Sequence, residues 1–262
     1  MDLKIKNKVA IITDGTGAIG AAIADTLAAE GATVVFAGAE DAAIERTKKA
    51  LNKHSGSVVG ILADAGSEAD MRKLAATALD QFGRIDIVVN NAGAELYGDI
   101  GDVSVEQLSA LLRIKVLGPW ELARAVAPHM RKQGHGRIIT VISDAGKIPG
   151  RSMIASAVGG AAQLAFVKSL ADELGPSNVL ATGVSIGHIK ESDGPAPPVR
   201  RDPFISRSLE QHESNWAMDV PLGRWGTPSD VANAVAFLSS ESSSFICGSN
   251  LDVDGGDQRS IF

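Results

Sequence analysis

Few residues in this chain can move a proton or attack a carbon: of 262 residues, one is tyrosine, one cysteine and five histidine. Tyr97 is the sole phenol, with an ordinary pKa of about 10, and it exchanges a proton near neutrality only when a cation pulls that value down. Ser143 and Asp144 close an apolar run, Val141-Ile142-Ser143-Asp144. A serine hydroxyl has no accessible pKa, so Ser143 and the later Ser156 serve as hydrogen-bond partners rather than acids. Lys115 brings an ammonium to an otherwise apolar stretch, and Asp144 is the nearest carboxylate by motif. His188, in Ser185-Ile186-Gly187-His188-Ile189, has the right titration range for a general base. It has no Asp or Glu close by in sequence, which favours a structural role. His54, His129, His135 and His212 are scattered without metal-ligand spacing, so no metal site is expected. Cys247, between Ile246 and Gly248, reads as a small buried hydrophobe.

The elements that must position these groups alternate. Lys8 to Ile12 is a short apolar run leading into a glycine-rich turn, followed by an alanine-rich helical stretch from Ala21 to Glu30. Thr33 to Phe36, Val58 to Leu62, Ile85 to Val89, Gly136 to Val141 and Val179 to Val184 are further strands, with a helix from Asp41 to Leu51. Strands separated by helices predict an α/β, doubly wound parallel sheet with helices on both faces. The runs are continuously apolar rather than alternating, as strands covered on both sides require.

Length and pattern predict one domain over residues 1–262, without repeats. One stretch, residues 191–221, breaks the rhythm. It carries Pro195, Pro197, Pro198 and Pro203 with Arg200, Arg201 and Arg207, and reads as a long excursion with at most one helix near Ser206 to Trp216. A net charge of -6 argues against a nucleic-acid partner. No apolar run long enough to span a bilayer and no signal-peptide pattern are apparent, so no membrane association is expected. A single cysteine excludes an internal disulfide, which suits the cytoplasm.

Placed together, Ser143, the segment Ala155-Ser156-Ala157-Val158-Gly159-Gly160 and the run Lys168-Ser169-Leu170-Ala171-Asp172-Glu173-Leu174-Gly175-Pro176 resemble the active-site strand and helix of the short-chain dehydrogenase/reductase family. That family places a serine about thirteen residues before the tyrosine of a Tyr-x-x-x-Lys motif. Here Ser143 is retained, but Ser156 stands at the tyrosine position and Gly160 at the lysine position. The family's asparagine in Asn-Val-x-Gly is replaced in Lys115-Val116-Leu117-Gly118. The resemblance implies a Rossmann-like fold, a substrate lid over 191–221 and hydride transfer between a nicotinamide nucleotide and a carbonyl. The acid for that reaction is missing.

The nucleotide loop departs as well. The family writes Thr-Gly-x-x-x-Gly-x-Gly, and this chain has Thr13-Asp14-Gly15-Thr16-Gly17-Ala18-Ile19-Gly20, in which only Thr13 and Gly20 match. Glycines there let the backbone approach a pyrophosphate at a helix N-terminus. An Asp14 carboxylate aimed at that space, about 5 Å from a phosphate at an effective dielectric of about 20, would repel it by roughly 3 kcal/mol. Ala39 stands where an arginine often meets the 2'-phosphate of NADP, and Glu40 reads as helix-start charge. Asp64, Asn91 and Gly93 match the family's adenine-side and fourth-strand motifs. The expectation is that Thr13, Gly20, Asp64, Asn91 and Gly93 form a vestigial site that holds NAD or NADP weakly at most, with no cofactor bound tightly.

The late segments Pro221-Leu222-Gly223-Arg224-Trp225-Gly226-Thr227-Pro228 and Val253-Asp254-Gly255-Gly256 also resemble the family, in regions through which its members assemble. The expectation is an oligomer in which this chain is a non-catalytic subunit paired with an intact paralogue. Two alternatives stand beside it. One is a cofactor-independent lyase or isomerase using Ser143, Lys115, Asp144, His188 or Tyr97. The other is a weak NAD(P)-dependent oxidoreductase with a relocated acid.

Overall fold

Each short apolar run becomes a strand because both of its faces find helices. The computed structural model describes residues 2–93, 95–190 and 220–258. Seven parallel strands are formed: β1 (Val9–Ile12), β2 (Thr33–Gly38), β3 (Val58–Leu62), β4 (Ile87–Asn90), β5 (Gly136–Ser143), β6 (Val179–Ile186) and β7 (Asn250–Val253). They lie in the order β3-β2-β1-β4-β5-β6-β7. The strand order therefore reverses between β1 and β4, the place where open α/β sheets bind ligands at their carboxyl ends. The helices are α1 (Ala18–Ala29), α2 (Asp41–Leu51), α3 (Glu68–Phe82), α4 (Val105–Leu112), α5 (Gly118–Gln133), α6 (Ile154–Leu174) and α7 (Pro228–Ser239).

Side chains of consecutive strand residues part to the two faces. Ala10, Ile12, Val34, Phe36, Val89 and Ile139 pack with Ile23 and Leu27 of α1 and Val231 and Val235 of α7. Val9, Ile11, Val35, Val88 and Ile138 pack with Leu74 of α3, Val126 of α5 and Leu174 of α6. Two covered faces explain why the sequence shows unbroken apolar runs. β2, β4, β5 and β6 end one or two residues later than expected, β1 and β4 begin one and two residues later, and α1 starts at Ala18 rather than Ala21.

Two features bear on the site. Between α4 and α5 the chain makes a five-residue π-helical turn, Arg113–Leu117, which turns Lys115 into the interior. The helix α6 with its following turn is apolar and long enough to cross a membrane by length and composition, but half of that window is buried within the fold, as in a core helix. The expected excursion at 191–221 and its helix near Ser206 to Trp216 lie outside the described residues, apart from Val220 and Pro221.

Candidate functional site

The carboxyl ends of β4, β5 and β6 bring Tyr97, Glu95, Asp144 and His188 within electrostatic reach of one another. Ser143 ends β5, and its hydroxyl accepts a hydrogen bond from the Ala145 N–H at 3.4 Å, capping the 3-10 turn Asp144–Gly146. The Asp144 carboxyl is pushed above the usual carboxylate range, chiefly by burial. The charge of His188 opposes that shift, and those of Asp257 and Glu95 add to it. His188, just past β6, places Nε2 3.4 Å from the Asp257 carboxylate, and its ring lies 5.2 Å from that of Trp225. Tyr97 is 43% exposed, and its phenol is pushed above 10 by burial first, then by Glu95 and Asp144.

Positions 156 and 160 are taken up by packing. The Ser156 side chain is fully buried; its Oγ accepts from the Leu96 N–H at 3.0 Å and donates to the Leu96 carbonyl at 3.4 Å. The backbone of the segment after β4 thus lies one hydrogen bond from α6, in the space a larger side chain at 156 would need. Gly160 faces Gly146: a Cβ added at 160 would come 2.7 Å from the Gly146 Cα, closer than carbon atoms approach unless the backbone moves. A lysine at this position requires the turn after Ser143 to shift.

Lys115 differs from expectation. Its stem lies over Gly159, whose added Cβ would sit 3.0 Å from Lys115 Cδ. Its ammonium, 3% exposed, pairs at 2.8 Å with Glu95 rather than with Asp144. The sequence reading missed Glu95 and Asp257. Glu95 follows the Asn-Asn-Ala-Gly motif by two residues, and Asp257 follows Val253-Asp254-Gly255-Gly256 directly, so position beside a recognised motif was the available signal. The partner of His188 is remote in sequence, which is why proximity along the chain misjudged it.

At the switch point, Thr13 Oγ1 accepts from the N–H groups of Asn91 at 2.9 Å and Ala92 at 3.0 Å, tying β1 to β4. The Asn91 amide donates to the Asp14 carbonyl at 3.2 Å, and Gly20 packs so closely on that carbonyl that no side chain fits. Asp64 caps its own turn by accepting from Gly66 N–H at 2.8 Å, and a Cβ added at Gly93 would meet the Asn91 carbonyl at an ordinary 3.7 Å. Asp14 stands in the left-handed region (φ 48°), and its carboxylate is turned back to accept from Gly17 N–H at 3.2 Å. Burial pushes its carboxyl upward, while the Gly17 N–H and Thr16 hydroxyl bonds partly restrain the shift.

A family model described as enoyl-(acyl carrier protein) reductase matches residues 15–257. Dehydrogenase/reductase SDR family member 4 of Homo sapiens is 34% identical over 256 residues, 96% of this chain and 88% of that protein. The (2S)-[(R)-hydroxy(phenyl)methyl]succinyl-CoA dehydrogenase subunit BbsD of Thauera aromatica is 31% identical over 263 residues, 98% of each chain. Among solved structures, an NAD+-bound xylitol dehydrogenase matches at 25% identity and a TM-score of 0.89, covering 97% of this chain and 100% of that one. A 7α-hydroxysteroid dehydrogenase complexed with NADH and 7-oxo glycochenodeoxycholic acid matches at 30% identity and a TM-score of 0.88, covering 100% and 98%.

These findings overturn the expectation that no nicotinamide nucleotide is held tightly, since two proteins that share nearly the whole fold carry NAD+ or NADH. The physical reason lies in Asp14. The sequence alone placed the carboxylate facing the phosphates, whereas it folds back on the turn and accepts from the Gly17 N–H at 3.2 Å. The residues present fit such a group. The head of α1 sits at the switch point, and the first-turn N–H groups from Ala18 onward have no partner within their own helix.

Proposed function

The chain belongs to the short-chain dehydrogenase/reductase family, and on that premise we propose that it is a nucleotide-holding subunit that leaves hydride transfer to an active dehydrogenase of the same family. The nucleotide lies along the carboxyl ends of the strands, its pyrophosphate at the head of α1 around Thr16 to Ile19 and its nicotinamide half toward β4 to β6. When bound it would supply the hydride acceptor or donor; the chain's own contribution is to bind and orient it.

One observation carries the reading: both positions of the proton relay are filled by structural contacts. Ser156 is fully buried against Leu96, and Gly160 is in contact with Gly146. A second supports the pairing. On α6, Ile154, Val158, Ala161 and Ala165 are exposed at successive intervals of three or four residues, an apolar stripe that a helix of a partner can cover. A relative named as a dehydrogenase subunit points the same way.

The test is co-expression with intact family members of the same organism, followed by native mass spectrometry and an assay of each purified chain. The expected result is a mixed assembly, with the isolated chain binding NADH and turning over no alcohol. Robust nicotinamide-dependent turnover by the isolated chain, or a homotetramer that ignores the co-expressed family members, overturns the proposal. Turnover would favour a second reading, a weak oxidoreductase with a relocated acid, for which the supporting observation is the upward push that burial gives the Asp144 carboxyl beside Ser143 at the end of β5. The cofactor-independent lyase loses its motive once a nucleotide is placed in the cleft.

A further inference from the structure

Lys115 is the one described lysine whose side chain is almost wholly buried, and its environment is incomplete. An ammonium has three N–H donors. Among the described residues the hydrogen bond recorded for Lys115 Nζ is the one to Glu95 Oε1, at 2.8 Å. With 3% of the side chain exposed, bulk water does not serve the other two donors. Buried polar groups are ordinarily satisfied by protein, ordered water or ligand, so unused donors on a buried ammonium mark a place where something binds. Glu95 is different. It is 36% exposed, is engaged by Lys115 through Oε1, and lies within electrostatic reach of Tyr97 and Asp144.

The position of the pair defines what it can reach. Lys115 arrives from the π-helical turn and lies on Gly159, immediately before the Gly160 position on α6. Glu95 follows the carboxyl end of β4, on the far side of the switch point from α1 and β2. A dinucleotide crosses such a sheet with one half on each side of that point. The half over β4 to β6 is the nicotinamide nucleoside, whose ribose offers two vicinal hydroxyls. A carboxylate accepts from hydroxyls, and an ammonium donates to them. The other lysine near the ends of β5 and β7 is already committed: Lys147 Nζ lies 2.6 and 2.9 Å from the two oxygens of Asp252.

We propose that Lys115, held by Glu95, supplies from the π-helical turn the ammonium that α6 lacks at Gly160, and that the pair binds the hydroxyls of the nicotinamide-side ribose. The assignment rests on the nucleotide-holding part of the function proposed above. It makes Lys115 a binding residue and requires no turnover.

The experiment uses the full chain and two probes: NADH, which has the second ribose, and ADP, which does not. Binding is read by calorimetry and by NADH fluorescence. Lys115→Met is expected to weaken NADH about tenfold or more, the scale of losing charge-assisted hydrogen bonds, and to leave ADP affinity unchanged. Glu95→Gln keeps the ammonium but removes its charged anchor; a smaller, several-fold loss for NADH alone is expected, so the test survives if Lys115→Met fails to fold. Equal weakening of NADH and ADP, or no change in either, overturns the assignment while leaving nucleotide binding intact. Failure of the unmodified chain to bind either probe overturns the reading beneath it, and the assignment with it.

Discussion

The two ends of the sheet bury charge in opposite ways. At the amino ends, the buried charges Asp86 and Arg137 are each shared among several elements. Asp86, fully buried, accepts from Val9 N–H at 2.9 Å and from Arg84 Nε and Nη2 at 2.8 and 2.6 Å, with Lys8 at 3.9 Å. Arg137, 2% exposed, reaches the Gly136 carbonyl at 2.9 Å and both the Ser240 carbonyl and Glu241 at 3.4 Å. At the carboxyl ends Lys115 pairs with Glu95 at 2.8 Å, His188 lies 3.4 Å from Asp257, and burial pushes the Asp144 carboxyl upward. A saturated network serves the fold, whereas the Lys115 ammonium, with one hydrogen bond among the described residues, keeps donors for a ligand.

The largest expected effect breaks the saturated end. Asp86→Ala leaves Arg84, Lys8 and the Val9 N–H without their common acceptor, and removing one member of a buried ionic network typically costs about 3–5 kcal/mol. Urea denaturation should show that loss, while NADH affinity of the protein that remains folded stays unchanged. A parallel fall in NADH affinity would mean that the two ends are coupled.

Next comes the filled relay position. Gly160→Lys forces the added side chain against Gly146, an overpacking expected to cost about 1–3 kcal/mol. It should bring no hydride transfer, alone or with Ser156→Tyr, because Leu96 lies against position 156. If the double variant keeps its stability and reduces NAD+, the cleft is more yielding than these contacts imply.

Much of this contrast was legible in the sequence, and the rest was not for definable reasons. The parallel sheet and its doubly covered strands followed from unbroken runs such as Val9 to Ile12, because burial on both faces removes polar alternation. Changes of type at Ser156, Gly160 and Lys115 were visible because a motif fixed their positions. The direction of a side chain was not. Asp14 looked like a phosphate-repelling charge, yet a left-handed backbone turns its carboxylate onto Gly17. Partnerships across the fold, Lys115 with Glu95 and His188 with Asp257, depend on which strand ends meet, and chain proximity wrongly favoured Asp144 for the first and no carboxylate for the second.

The smallest expected effect is also the sharpest on the comparison, because one titrating group from each end should respond to pH with opposite sign. His135, at the amino end, has its pKa lowered by burial first, then by the charges of Lys8 and Arg137. Its Nε2 lies 3.2 Å from Lys8 Nζ, a contact that demands a neutral ring accepting from the ammonium, with Nδ1 toward Glu241 at 3.6 Å. The folded protein therefore binds this proton less readily than the unfolded chain. The stability involved is complete above the unfolded histidine value of about 6.5 and is lost as pH falls through and below it. Asp144 is the reverse: its folded pKa is raised by burial, so the ionised form carries a cost at neutral pH that fades as acid restores the proton. His135→Gln should flatten the acid-side loss of stability below about pH 6.5. Asp144→Asn should stabilise the protein at neutral pH by up to about 1 kcal/mol, with the gain vanishing toward acid. Urea midpoints of both variants and the parent across the acid range would separate the two. Curves that move in the same direction would show that the carboxyl end is as saturated as the amino end, and that the cleft at β4 to β6 is not waiting for a ligand.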